Sequence, residues 1–111
     1  MLKGHLDMIV LAALAAAGSA HGYAVIEEIQ QRSGGAFDLP EGTSYPALHR
    51  LEQAGLLNSR WTTAESGRRR RVYTLTRTGN RALAERRAVW KQFSDAIGGL
   101  LGANRPRETP A

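Results

Sequence analysis

The apolar residues of this chain fall into blocks whose period changes along its length. From Met8 to Ala17 the run MIVLAALAAA is apolar nearly all round, which predicts a first helix over about Lys3–Ala17, buried on several sides and ended by Gly18-Ser19. Val25, Ile26 and Ile29 recur at helical spacing between Glu27, Glu28 and Gln30. They predict a second helix over about Gly22–Gln31, stopped by Ser33-Gly34-Gly35. Residues 34–41 carry Gly-Gly and Pro40 and read as a loop, with an extended piece near Phe37–Leu39. A third helix is expected from Thr43, as N-cap, with Pro46 in its first turn. Ala47, Leu48, Leu51 and Ala54 form its apolar stripe and Gly55 its stop. The period then shortens to that of strands. Leu56–Thr62 and Arg70–Thr76 read as a hairpin joined by residues 63–69, with Ser66-Gly67-Arg68 at its tip.

Beyond the hairpin Thr76 can cap a final helix over residues 77–101. Leu83, Trp90 and Ile97 recur every seven residues, and Phe93 and Leu100 form a second series offset by three, the pattern of a helix seam. Arg86 interrupts the second series. The seam spans under three heptads, about 27 Å at 1.5 Å per residue. Exposed alone it would be poorly soluble, which predicts dimerisation through Leu83, Trp90, Phe93, Ile97 and Leu100. Residues 102–111 read as a disordered tail.

The stretch MLKGHLDMIVLAALAAAGSA has the outline of a secretory leader. Asp7 interrupts the approach to the apolar run, Lys3 is the one firm positive charge, and removal would uncover the helices that follow. The run is also shorter than the ~20 residues of a bilayer span. It is read as the first core helix.

At 111 residues the chain is one domain by length, with a modest core that a partner copy would complete. No cysteine is present, which excludes a disulfide scaffold and thiolate metal sites and suits a reducing cytoplasm. The net charge of +5 is unevenly placed. Residues 58–91 hold ten basic residues against Glu65 and Glu85, a local +8 that leaves −3 elsewhere. Four consecutive arginines at a hairpin tip favour a polyanion partner. A short helix with Tyr45, His49, Arg50 and Gln53 on its outer face, followed by that hairpin, suits duplex DNA: helix in the major groove, hairpin on phosphates.

The stretches GTSYPALHRLEQAGLL and SGRRRRVYTLT, with Trp61 on the strand between them and LKGHL and HGYAVIEEI upstream, resemble the signature of PadR-type bacterial transcriptional regulators. The resemblance covers roughly residues 2–93. It implies a mainly α fold with a β-hairpin wing: a winged helix-turn-helix DNA-binding domain over 1–76 and a long C-terminal dimerisation helix over 77–101. It further implies a homodimeric repressor on a palindromic operator, with Lys3, Thr43, Tyr45, His49, Arg50, Arg68, Arg69, Arg70 and Arg71 at the DNA. Lys3 is equally readable as a plain exposed lysine, Tyr45 as packing on the wing and His49 as solvated. Of the four wing arginines, strand alternation sends some away from phosphate. The sequence departs from the family at Ser44, usually leucine, at Arg69, usually proline, and at Val72, often tyrosine. Tyr73 is expected in the core beside Trp61.

Short members of that family pair their last helices, and in some an apolar cavity there binds aromatic compounds between tryptophans. Trp90 resembles that position, which implies a small aromatic or drug-like effector site with Asp7, Met8, Arg87 and Phe93. The plainer alternative, Trp90 as a seal of the dimer, stays open. No metal site is expected from the dispersed His5, His21 and His49, nor any cofactor or catalytic constellation. His21-Gly22-Tyr23 reads as a turn into the second helix. Two rivals remain: a sequence-nonspecific basic nucleic-acid-binding protein, and an interaction protein whose final helix holds a different partner.

Overall fold

The computed structural model describes residues 5–102, so Lys3 and the tail beyond Gly102 lie outside the described residues. The order of elements is α1 (Leu6–Ala17), β1 (Ser19–His21), α2 (Gly22–Arg32), α3 (Glu41–Gln53), β2 (Leu57–Thr63), β3 (Arg69–Leu75) and α4 (Arg77–Leu101). The fold is mainly α with a β-hairpin wing, as expected. None of the described helices is long and apolar enough to cross a membrane.

The leader-like run is the centre of the core. Val10, Leu11 and Leu14 of α1 are fully buried, packed with Val25 and Ile29 of α2, Ala47, Leu48 and Leu51 of α3, Leu57 of β2 and Tyr73 of β3. Leu83 of α4 belongs to the same cluster and is 2% exposed. Its expected place in a dimer seam is therefore corrected. Leu83 anchors α4 to the core of its own chain.

The start of α3 is also corrected. Pro40, not Thr43, is the N-cap, and its carbonyl accepts from Thr43 N and Ser44 N at 3.0 Å each. No side chain caps this end. Pro46 is consequently inside the helix, where its missing N–H leaves the Gly42 carbonyl without an intrahelical donor. Both residues are exposed to solvent. The helix ends in a Schellman turn: Leu56 N donates to Leu51 O and Gly55 N to Glu52 O, both at 3.0 Å, with Gly55 at φ 82°. Ala54 is exposed rather than part of the apolar stripe.

The sheet has three antiparallel strands in the order β1-β3-β2. β1, where no strand was expected, pairs Ser19, Ala20 and His21 with Thr74, Tyr73 and Val72. β2 runs along all of β3, from Leu57 opposite Leu75 to Thr63 opposite Arg69. The sheet is thus three-stranded near the core and two-stranded towards the tip. Thr76 fixes the exit from it. Its hydroxyl donates to Gly55 O at 2.8 Å and accepts from Gly79 N at 2.9 Å, capping α4.

Candidate nucleic-acid interface

Tyr45 and His49 lie four residues apart on the exposed side of α3, one above the other. Tyr45 leans over the start of α2, and Gly22 makes room for it: a Cβ there would lie 2.0 Å from the Tyr45 ring. His21, just before, caps α2 by accepting from Ala24 N through Nδ1 at 3.3 Å. Burial first, then the Arg70 guanidinium, hold this imidazole below its usual 6.5, with Glu27 opposing. A neutral ring is the one able to accept the capping bond.

β1 stops opposite Val72, so the edge of β3 over Arg69–Arg71 is left open. A groove of about 560 Å³ runs there between α3 and the wing, lined by His21, Gly22, Tyr23, Tyr45, His49, Trp61, Tyr73 and Arg68–Arg71. Its chemistry is guanidinium, imidazole and aromatic rings, with no acidic side chain among the lining residues. Such a surface attracts a polyanion and offers donors to base edges.

Two expected DNA residues are placed elsewhere, and a third is held by neighbouring side chains. Arg50 donates to Asp7 of α1 and does not line the groove. That pairing engages Asp7, which the expected effector site included. Thr43 sits partly buried inside the first turn of α3. Arg71 lines the groove but is bound to Ser59 and Glu52. Trp61 is not in the core with Tyr73. It is 55% exposed, with Arg69 and Arg71 over its ring at 4.8 and 5.6 Å, while Tyr73 is buried in the core without it. His21, Gly22, Tyr23 and Trp61 are groove residues that sequence reasoning did not assign. The one available signal was HGY, read as a turn.

A model of the transcriptional regulator PadR-like family matches residues 10–85, most of the described fold. The chain belongs to that family. Membership makes this PadR-type protein a transcriptional regulator and not an enzyme. Transcriptional regulator Rv3488 of Mycobacterium tuberculosis is 40% identical over 86 residues, 77% of each chain. A PadR-family transcriptional regulator from Eggerthella lenta superposes with a TM-score of 0.75 at 35% identity, covering 92% of this chain and 86% of the other. Bacillus subtilis PadR, solved in complex with operator DNA, shares the fold at TM-score 0.66 and 22% identity. The match covers 95% of this chain and half of that one.

The PadR-type chain has a second concave surface, where α4 leaves the core. It encloses about 660 Å³ and is lined by His5, Met8, Glu85, Arg86, Val89, Trp90 and Phe93. His5 meets Trp90 edge-on at 6.1 Å between centroids, and Phe93 lies 5.9 Å beyond. Met8, Trp90 and Phe93 are thus brought together, while Asp7 and Arg87 are not among the lining residues. Val89, Trp90, Phe93, Ile97, Leu100 and Leu101 leave an exposed apolar stripe down α4. Among the described residues no cluster suits a metal ion.

Proposed function

We propose that this PadR-type regulator is a cytoplasmic homodimeric repressor that reads a palindromic operator with α3 and grips its backbone with the wing. The observation that carries this reading is the groove in which Tyr45 and His49 face Arg68, Arg69 and Arg70 with no acidic neighbour. Bacillus subtilis PadR, which shares the fold, was solved with operator DNA. Dimerisation is supported by the apolar stripe from Trp90 and Phe93 to Ile97 and Leu100, which one chain leaves in water. Protection of an inverted repeat upstream of its own gene, with half-sites about 34 Å apart, is the expected result. Equal affinity for operator and random duplexes would instead establish a nonspecific basic binder. A monomer in sedimentation would favour a partner of another kind for α4.

The same proposal gives Met8, Trp90 and Phe93 an effector. Two such hollows across a two-fold axis would sandwich a planar aromatic molecule between indoles. Trp90→Ala should abolish quenching by planar aromatics yet leave a dimer. Dissociation of the dimer would make Trp90 a structural seal.

A further inference from the structure

Beyond Val72 the wing is a two-stranded ribbon, because β1 covers β3 only from Val72 to Thr74. An isolated two-stranded hairpin is marginally stable at best in water. Something else must hold this one at a fixed angle if α3 and the wing are to meet DNA in register. The side of the hairpin that turns towards α3 carries a continuous chain of contacts. Ser59 Oγ donates to Glu52 Oε2 at 2.5 Å, and Arg71 Nε donates to the same Ser59 oxygen at 2.8 Å. Arg71 Nη2 lies 3.5 Å from Glu52 Oε1. Trp61 stands directly opposite Arg71 in the register, and its ring lies under both Arg71 and Arg69.

We propose that Glu52, Arg71 and Trp61 are positioning residues that brace the wing against α3, leaving Arg68 and Arg70 to meet phosphate. The inference rests on the DNA-binding reading above. Glu52 lies three residues after His49 on α3, so the brace refers the wing directly to the base-reading helix. Arg71 is 41% exposed and Glu52 25%, so their ion pair alone is weak. The brace comes from geometry: the planar guanidinium spans a hydroxyl and a carboxylate while its face rests near an indole. A lysine carries the same charge but not that fork. Arg70 alternates to the other side of β3, and Arg68 lies at the tip, so neither is engaged by the brace.

The test compares an operator duplex with a random duplex of equal length over a salt series. Arg68→Ala and Arg70→Ala should weaken both duplexes and reduce the salt slope by about one per lost contact. Arg71→Lys should lower the operator-over-random ratio about tenfold, the worth of roughly one base contact, with the slope unchanged. Glu52→Gln should lower the same ratio while affinity for random DNA rises, since a negative charge is removed. Arg71→Lys behaving as wild type, or Arg71→Ala reducing the slope, overturns the proposal. A second readout needs no DNA. In a Trp90→Phe background Trp61 is the remaining tryptophan, and Glu52→Gln should increase its quenching by acrylamide about twofold. Unchanged quenching overturns the brace. If the wild type prefers no duplex, the operator reading falls while the quenching result still decides the brace.

Discussion

Ser44→Ala should stabilise this protein. Ser44 is completely buried on the inner face of α3, and its hydroxyl has no hydrogen-bond partner among the described residues. An unpaired buried hydroxyl costs about 1–3 kcal/mol, and alanine is the better helix former by a few tenths. Truncation removes one oxygen and creates little cavity, so the net gain should be about 1–2 kcal/mol. For a domain of this size each kcal/mol raises Tm by about 4–8 °C. In urea, with a slope of about 2 kcal/mol per molar, the midpoint should rise by about 0.5–1 M. Protein concentration must be held constant, because the proposed dimer would add its own stability. Operator affinity should stay within about twofold, since Ala47, Leu48 and Leu51 still seat the helix. Ser44→Leu tests the same site from the other side. It restores the residue usual in the family, but a closely packed site must open for it, and overpacking costs about 1–3 kcal/mol. A Ser44→Ala protein less stable than wild type would refute the reasoning, because the hydroxyl would then have to be bonded.

His21 gives a pH dependence of known sign. Its folded pKa lies below the unfolded 6.5, so below that pH the unfolded chain binds more protons. The contribution is therefore present above about 6.5 and lost as pH falls through the lowered folded value; urea midpoints at pH 7.5 and 5.5 should differ less in His21→Asn, which keeps a cap. Gly22→Ala should displace the Tyr45 ring at little cost in stability, because the clash is with the far end of a side chain, while operator preference falls. Leu83→Ala should cost about 2–5 kcal/mol in chemical unfolding, the penalty of a core leucine; a loss confined to the dimerisation constant would return Leu83 to the seam.

The sequence was most legible where one side chain decides the structure locally. Thr76 announces α4 because its hydroxyl makes the cap. Gly55 announces the end of α3 because the Schellman turn needs a positive φ. The start of α3 was misplaced because its cap is a backbone carbonyl on Pro40, with no side-chain signature, and Thr43 nearby looked like a better cap. β1 has three residues, too few for alternation to register, and only β3 makes it a strand. Leu83 exposes a different limit. A seven-residue period finds the buried stripe of a helix but not which chain buries it. Arg50 was read as outward-facing, correctly, yet its partner Asp7 lies 43 residues earlier, beyond any spacing rule. The wing was legible as a charged hairpin, but not in how it is held, since the contacts that brace it join α3 to both strands.

The two concave surfaces share no element, and α1, which lines one and packs against α3 of the other, joins them, which limits how they can communicate. Met8 of α1 lines the hollow at Trp90, while the adjacent Asp7 pairs with Arg50 beside His49 on α3. The ion pair is the visible link, but with side chains 54% and 30% exposed it is screened, and such pairs are worth about 0–1 kcal/mol. A coupling of 1–3 kcal/mol, the usual range for allostery, exceeds what this contact supplies. The stronger link is the packing of Val10, Leu11 and Leu14 with Ala47, Leu48 and Leu51, all nearly inaccessible to water. Closely packed cores transmit displacement because they have no slack to absorb it. A ligand wedged against Met8 would therefore act on α3 chiefly by moving α1 as a body. Asp7→Asn should then leave most of any effector response intact, measured as the ratio of operator affinities with and without a planar aromatic ligand. Loss of the whole response in Asp7→Asn would place the coupling in the ion pair instead.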